Sequence, residues 1–465
     1  MNRKLQEFNN YINGKKVAII GLGVSNIPLI DYMHEKEAIA TFFDDRQEED
    51  ISKEIIDKIK NYKFSFIGGE NNLQKLKGFD IIFRSPSCLP TRKELQEEAK
   101  RGAIITTEIE MLMKMCPCKV IGVTGTEGKT TTSSIINAIL KHAGFNCYLG
   151  GNIGTPLFTK LPEITEKDII VLEMSSFQLM GMEVSPNIAL VTNIYPDHLN
   201  VHKDMQEYVD SKENILTHQT QEDTVVLNFD NDITREFAKD AKGKVIMFSS
   251  KNNLEYGYFY NVSTGNIEYH QNGNKDILIN KKNIKLRGIH NYENICAALA
   301  VTEEIVDRKV QLEAIKEFIG VEHRLEFVRE INGVKYYNDS IGTSPASTIA
   351  GLNAFDENII LLAGGSDKGL DYKEIGEKIA EKVGTLILCG PTSDVIEQAA
   401  KNALNGKEIK IIRVNNMQEA VNSAQVNAKQ GDVVLLSPAS ASFDLYKNFI
   451  ERGNIFKEIV NNLWK

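Results

Sequence analysis

The sequence predicts an α/β protein of about three domains, on two observations. Three successive stretches each repeat an apolar strand, a Gly-containing turn and an amphipathic helix, the pattern of parallel α/β construction. A chain of 465 residues is too long for one hydrophobic core, and a prior of roughly 150 residues per domain gives about three.

The first stretch opens with Lys16-Val17-Ala18-Ile19-Ile20, turns at Gly21-Leu22-Gly23 and reaches a second strand, Ala40-Thr41-Phe42-Phe43, before Asp44. It runs to about Thr107. The second begins with Lys119-Val120-Ile121-Gly122-Val123-Thr124, a Gly-rich loop, and a helix with Ile135, Ile136, Ile139 and Leu140 on one face that stops at Gly144. Its later strands are Ile169-Ile170-Val171-Leu172 and Ile188-Ala189-Leu190-Val191-Thr192, and alternation between about Leu254 and Leu286 predicts β-hairpins inserted at the domain edge. The third has strands near Lys335-Tyr336-Tyr337, Ile359-Ile360-Leu361-Leu362, Leu386-Ile387-Leu388 and Val433-Val434-Leu435-Leu436. Ligands of such sheets bind outside the carboxyl ends of the strands, so chemistry is sought in the turns that follow them.

Composition narrows the function. Hydrophobic content of 42% and charged content of 25% are ordinary for a globular protein, and no segment is apolar enough to span a bilayer. The start, MNRKLQEFNNYINGKKVAIIGLG, lacks signal-peptide order, and six scattered cysteines do not form an extracellular framework; both point to a reducing cytoplasm. Cys116 and Cys118 flank one proline with no second Cys or His pair nearby, and read as buried thiols rather than metal ligands. A net charge of −9 argues against a nucleic-acid partner, so an anionic ligand must be held by local amides, single cations or metal ions.

The strongest local signal is Thr124-Gly125-Thr126-Glu127-Gly128-Lys129-Thr130-Thr131, between a buried strand and a helix N-terminus. Its glycines let backbone N–H groups wrap a phosphate, Lys129 reaches the terminal phosphates, and the Thr130 hydroxyl suits magnesium. The strict pattern has Gly where Val123 stands, so this is a variant, and the plainer reading is a structural turn with a solvated lysine. Gly21-Leu22-Gly23-Val24-Ser25-Asn26 keeps two glycines of a dinucleotide fingerprint with Asn at the third, and Asp44 ends the next strand where a ribose-binding acid sits; a plain strand turn competes equally. Glu173 and His198 follow strands and could hold divalent cations, although either in isolation is an exposed turn residue, and Lys212 alone is a solvated helical lysine. His323-Arg324, Asn338-Asp339-Ser340, Gly364-Gly365-Ser366-Asp367-Lys368 and Ser437-Pro438-Ala439-Ser440-Ala441-Ser442-Phe443 supply an Arg, an acid, a Lys and hydroxyls at strand ends, the equipment for a phosphate and a small anion.

In order, the Gly-Thr-Glu-Gly-Lys-Thr-Thr loop, Gly151-Asn152-Ile153-Gly154, Leu172-Glu173-Met174-Ser175-Ser176-Phe177-Gln178-Leu179, His290-Asn291-Tyr292-Glu293-Asn294, His323-Arg324 and Asn338-Asp339-Ser340 resemble the Mur ligases over nearly the whole chain. The resemblance implies an N-terminal Rossmann-like UDP-binding domain (1–107), a central P-loop ATPase with a parallel sheet and small antiparallel insertion (108–320), and a C-terminal Rossmann-like domain for the amino acid (321–465). Glu-Met-Ser-Ser-Phe-Gln-Leu and the closing Ser-Pro-Ala-Ser-Ala-Ser-Phe-Asp are similar to the members that add D-glutamate to UDP-N-acetylmuramoyl-L-alanine. It therefore implies an ATP-dependent ligase of peptidoglycan synthesis, and so of cell-wall biogenesis, cell shape and division, acting as a cytoplasmic monomer without membrane insertion. ATP phosphorylates the alanyl carboxylate, and the amine of D-glutamate attacks the acyl phosphate.

By position, the resemblance gives Gly125 through Thr131 to ATP, with Lys129 stabilising the transferring phosphoryl. Asn294 would contact adenine, and Arg324 and Asp339 the phosphates and ribose. Thr130 and Glu173 would hold one magnesium ion and His198 with Lys212 a second; Lys212 would be carboxylated to a carbamate, because an amine lacks the anionic oxygen magnesium favours. Val24, Ser25, Asp44, Asp45, Arg46 and Ser85 would surround the uridine diphosphate, with Asn152 and Ser175 nearer the sugar. Thr343, Lys368, Ser442, Phe443 and Phe449 would take D-glutamate. Two positions depart from the family pattern: Ile341 replaces a lysine, and Ser87 replaces a glycine after Ser85-Pro86. Another Mur-type ligase or a folylpolyglutamate synthase is the runner-up. A nicotinamide oxidoreductase leaves Lys129 and Thr130 without a job, and a non-catalytic ATP-binding regulator would bind nucleotide without releasing ADP.

Overall fold

The apolar runs pair into three sheets, one for each stretch. The computed structural model describes residues 2–367, 369–404 and 406–464. The first sheet is five-stranded and parallel, in the order Ser65–Gly68, Ile39–Asp44, Lys16–Ile20, Ile81–Arg84, Ile104–Thr106. Strand ends Ile20, Asp44 and Arg84 therefore lie side by side, and the turns after them form one rim.

The central sheet has nine strands. Lys119–Thr124 is flanked by Ile169–Glu173 on one side and Ile188–Val191 on the other, all parallel, so the phosphate loop, the Glu173 turn and the segment bearing His198 leave from neighbouring strand ends. The expected hairpins are strands Gly257–Asn261, Asn266–Gln271 and Asn274–Asn280, which pair antiparallel at the sheet edge, the first of them joining the sheet in parallel beside Lys244–Ser249. Helix Lys129–His142 buries Ile135, Ile136, Ile139 and Leu140 and is closed by Gly144 at φ 88°, where a side chain would be strained.

The third sheet has six strands in the order Glu326–Ile331, Val334–Asn338, Val433–Leu436, Ile359–Ala363, Val383–Cys389, Lys410–Val414, with only the first pair antiparallel. The turns after Asn338, Leu436 and Ala363 adjoin.

The chain divides into two compact units. One holds both the first and the central sheet, in residues up to Asn283 together with Tyr292–Lys316; the other holds the third sheet, in Ile284–Asn291 and the chain from Glu317 onward. The contact boundary thus falls at 316/317, and 284–291 groups with the third sheet.

Within the first unit the two sheets share one hydrophobic core. Phe158, wholly buried, meets the rings of Tyr32, Phe8 and Phe83 at 5.0, 6.1 and 6.2 Å. The buried Glu108 carboxylate accepts the N–H groups of Phe158 (2.7 Å) and Leu157 (3.1 Å); burial pushes it up to about 7 against those bonds. Arg84, at the end of a first-sheet strand, donates to the carbonyls of Phe177 and Met180 beyond a central one. Phe158→Ala is expected to cost the first unit about 3–5 kcal/mol in urea unfolding, the range for deleting a buried aromatic. A loss under about 1 kcal/mol would show that Phe158 does not join the sheets.

Candidate functional site

The phosphate loop stands on two glycines. Gly125 (φ 145°) and Gly128 (φ 81°) occupy conformations strained for any side chain, and a Cβ on Gly125 would strike Thr192 while one on Gly128 would strike the Asn294 amide oxygen. Neighbouring segments fix the rest: Asn193 Oδ1 accepts the Glu127 N–H at 2.9 Å, Thr192 Oγ1 donates to the Glu127 carbonyl at 2.6 Å, and Asn193 O accepts the Thr126 N–H at 2.8 Å. Lys129 Nζ donates to the carbonyls of Thr126 (2.8 Å) and Gly125 (3.0 Å), folding over the loop it would serve.

Glu173 is buried at 2% exposure. One carboxylate oxygen accepts from Thr130 Oγ1 at 2.8 Å, the other from Asn152 Nδ2 at 3.0 Å. Ser175 caps the short helix Ser176–Leu179 through the Gln178 N–H.

Lys212, on helix Met205–Thr217, is 2% exposed. Its Nζ donates to the Gly125 carbonyl at 2.7 Å and lies 4.8 Å from the centre of the Tyr208 ring. Burial, then repulsion from Lys129, lowers it to about 7 although Asp197 and Glu173 pull upward. His198 stands at φ 54° with 52% of its side chain exposed, its Nε2 3.4 Å from Asp197 Oδ2. The structure thus brings Thr130 to Glu173, and gives Lys212 and His198 separate partners. Among the described residues no three His, Cys, Asp or Glu side chains cluster as a metal site. The Thr130 hydroxyl and Glu173 carboxylate, hard oxygens already in contact beside the phosphate loop, fit a magnesium ion shared with phosphate oxygens.

At the first-sheet rim Asp44 is not a free acid. It accepts the Leu22 N–H at 2.7 Å and pairs with Arg46 through Nε at 2.8 Å and Nη2 at 3.0 Å; burial would raise it, but these bonds hold it below the usual carboxylate range. Arg46, half-exposed, therefore offers the cation there, and Asp45 accepts from Asn72. Asn26, at the third fingerprint position, is buried and donates to the carbonyls of Ile20 and Gly21 at 3.0 Å, closing the turn itself. Val24 is exposed at the turn tip and Ser25 half-buried. Ser85 Oγ lies 2.9 Å from Ser87 Oγ, so the residue replacing a family glycine engages the hydroxyl next to it.

In the second unit Asp339 is 4% exposed, accepting from Ser437 Oγ (2.7 Å) and the Leu325 N–H (3.2 Å); burial pushes it up to about 6 against Ser437 and the nearby Arg324 charge. His323, buried at φ 64°, packs against Phe449 and meets Asn338 at 2.9 Å. Ile341 donates its N–H to the His323 carbonyl. Thr343 is half-buried, Ser442 buried and Phe443 70% exposed. Lys368 lies outside the described residues.

Four residues escape a reading of the sequence. Arg452, buried, donates to the carbonyls of Ser340, Ser440 and Ala441 and to Ser340 Oγ at 2.9–3.2 Å, knitting two strand-end turns; burial lowers it to about 10, which leaves it charged. Tyr208 hydrogen-bonds Thr126 at 3.0 Å, Asn193 braces the loop, and His202 is buried beside Ser176. Asn193 alone had a signal, a polar residue just past a buried strand.

Three family descriptions match in succession: a Mur ligase MurD-like N-terminal domain over residues 15–107, a Mur ligase middle domain over 123–302, and a Mur ligase glutamate ligase domain over 323–440. The chain is 46% identical over 467 residues to the UDP-N-acetylmuramoylalanine--D-glutamate ligase of Ruminiclostridium cellulolyticum and 47% to that of Acetivibrio thermocellus, with 100% of both chains covered. The protein of that name from Clostridium acetobutylicum is 44% identical over 465 residues, again with 100% of both chains covered. Among solved structures, UDP-N-acetylmuramate-alanine ligase MurC from Thermotoga maritima superposes with a TM-score of 0.58 at 17% identity, covering 96% of this chain and 99% of that one. MurF from Acinetobacter baumannii superposes at 0.60 and 14%, covering 91% of each. At these identities the two structures speak for the fold.

The depressed Lys212 leads to a stability test. Unfolded lysine holds its proton up to about pH 10.4, so from pH 7 upward the unfolded state binds the extra proton and stability rises with pH. In carbonate-free buffer the wild type should gain on Lys212→Met by up to about 1.4 kcal/mol per pH unit across that window. A difference that stays flat would show that the amine is not buried beside Lys129.

Proposed function

The chain belongs to the Mur ligase family, and from that premise we propose that it is the ligase that joins D-glutamate to UDP-N-acetylmuramoyl-L-alanine in peptidoglycan precursor synthesis, at the expense of ATP. The observation that carries this is identity of 44–47% over the full length with proteins named for that reaction. No helix among the described residues is long and apolar enough to cross a membrane. From the family resemblance we assign the protein to the cytoplasm as a monomer. Domains at 1–107, 108–320 and 321–465 would take UDP, ATP and the amino acid.

ATP phosphates would bind along residues 125–131, through the N–H groups at the helix start beyond Glu127, since Asn193 holds those of Thr126 and Glu127, and would draw Lys129 from the carbonyls of Gly125 and Thr126, which hold it otherwise. Thr130 and Glu173 would hold magnesium, which when bound supplies positive charge to the phosphate oxygens. Lys129 then stabilises charge on the γ-phosphoryl as it passes to the alanyl carboxylate, giving an acyl phosphate and ADP. The D-glutamate amine displaces phosphate and forms the amide.

A Lys212 amine lowered to about 7 is about half neutral at pH 7, and the neutral form has the lone pair that adds carbon dioxide and loses a proton to give an anionic carbamate. That supports its proposed role with His198 at a second ion. Asn294 against the loop supports an adenine-side role, and Arg324 with Asp339 is assigned to phosphate and ribose. Val24, Ser25, Asp44, Asp45, Arg46 and Ser85 are assigned to the uridine diphosphate, with Asn152 and Ser175 toward the sugar. Thr343, Lys368, Ser442, Phe443 and Phe449 are assigned to D-glutamate.

Incubation with ATP, magnesium, UDP-N-acetylmuramoyl-L-alanine and each glutamate enantiomer should release phosphate and yield the extended nucleotide by mass with D-glutamate alone. Phosphate release with no product of that mass would refute the substrate assignment. Lys129→Ala should stay folded and lose on the order of 10²–10³-fold in kcat, comparable to removing one transition-state donor. Lys212→Ala should be inactive and partly restored by small carboxylic acids; a fully active Lys212→Arg would end the carbamate reading.

A further inference from the structure

His198 sits in the left-handed region on a stretch between Val191 and Met205 with no strand or helix, and half its side chain is in solvent. Among residues 195–204 only His202 is buried, and its side chain has no solvent exposure.

The His202 ring touches each segment around it. Nε2 lies 2.9 Å from Ser176 Oγ, three residues past Glu173. The ring stacks parallel on Phe177, centroids 4.8 Å apart at 8°, and Phe177 in turn meets the His198 ring at 5.3 Å. Tyr208, one helical turn before Lys212 and bonded to Thr126 of the phosphate loop, packs edge-on at 5.2 Å. The His202 N–H donates to the His198 carbonyl at 3.0 Å, and Nδ1 is 3.4 Å from Glu207 Oε2, an ion-pair distance without hydrogen-bond geometry.

We propose that His202 is a positioning residue, one buried imidazole that fixes the relative placement of the three segments carrying Glu173, His198 and Lys212. This rests on the reading of those three as the magnesium-side residues. It acts by stacking, through the Ser176 bond and through the backbone turn to His198. Groups that orient metal ligands from behind change metal affinity by roughly 10–100-fold when removed.

The test is manganese binding, followed by electron paramagnetic resonance, in the presence of a non-hydrolysable ATP analogue. His202→Ala should weaken manganese by about 10-fold and lower kcat, leaving the KM for D-glutamate within about twofold. His202→Gln, which keeps a donor for Ser176 but not the ring, should lose less. Unchanged manganese affinity in folded His202→Ala, with Glu173→Gln defective, overturns the proposal alone; unchanged affinity in both overturns the metal reading beneath it. If His202→Ala does not fold, Ser176→Ala removes the bond from the other side and should weaken manganese in the same direction. No change there also overturns the proposal.

Discussion

Two lysine amines converge on a single carbonyl oxygen, that of Gly125, at 3.0 Å from Lys129 and 2.7 Å from Lys212. Burial first, and then the nearby charge of Lys129, lowers the Lys212 amine to about 7. That oxygen points where it does because Gly125 adopts φ 145°, and no other residue fits there against Thr192. Loop shape and the resting places of both lysine amines thus meet at one peptide group. In the proposed reading an arriving phosphate would compete with those carbonyls for Lys129, an exchange of weaker acceptors for a stronger one.

The same strand-turn-helix plan is wired differently in each sheet. In the first, Asp44 and Arg46 satisfy one another and the turn, leaving an exposed guanidinium edge. In the central sheet the turn is braced by neighbours, Asn193 holding the Thr126 and Glu127 amides. In the third, Arg452 supplies the bracing from a helix, and Asp339 is held by Ser437 and Leu325. Topology places the rims; local hydrogen bonding decides which groups a ligand meets.

The architecture is legible in the sequence because the strands are continuous apolar runs and the hairpins alternate, signals carried by neighbouring residues. The phosphate loop and Glu173 are legible for the same reason: glycine, lysine and a carboxylate directly after a buried strand. Asp44 shows the limit. Its position is readable, but its engagement by Arg46 and the Leu22 amide depends on how a turn closes. His202 and Arg452 are invisible locally, since one is a histidine in a polar loop and the other a charge in an amphipathic helix. Their roles exist only once segments up to 112 residues apart converge. The shared core around Phe158 is likewise a tertiary fact, and it explains why two sheets that read as separate domains form one compact unit.

Arg452 has a consequence for how such a protein changes over time. Apart from Ser340 Oγ, every acceptor it uses is a main-chain carbonyl, at positions 340, 440 and 441. Main-chain acceptors are indifferent to the side chain they carry. The turn beyond Leu436 therefore keeps its bracing while an exposed neighbour such as Phe443 is exchanged. Conformation there is inherited separately from chemistry, and a lineage can retune what the rim of the third sheet recognises without rebuilding the rim.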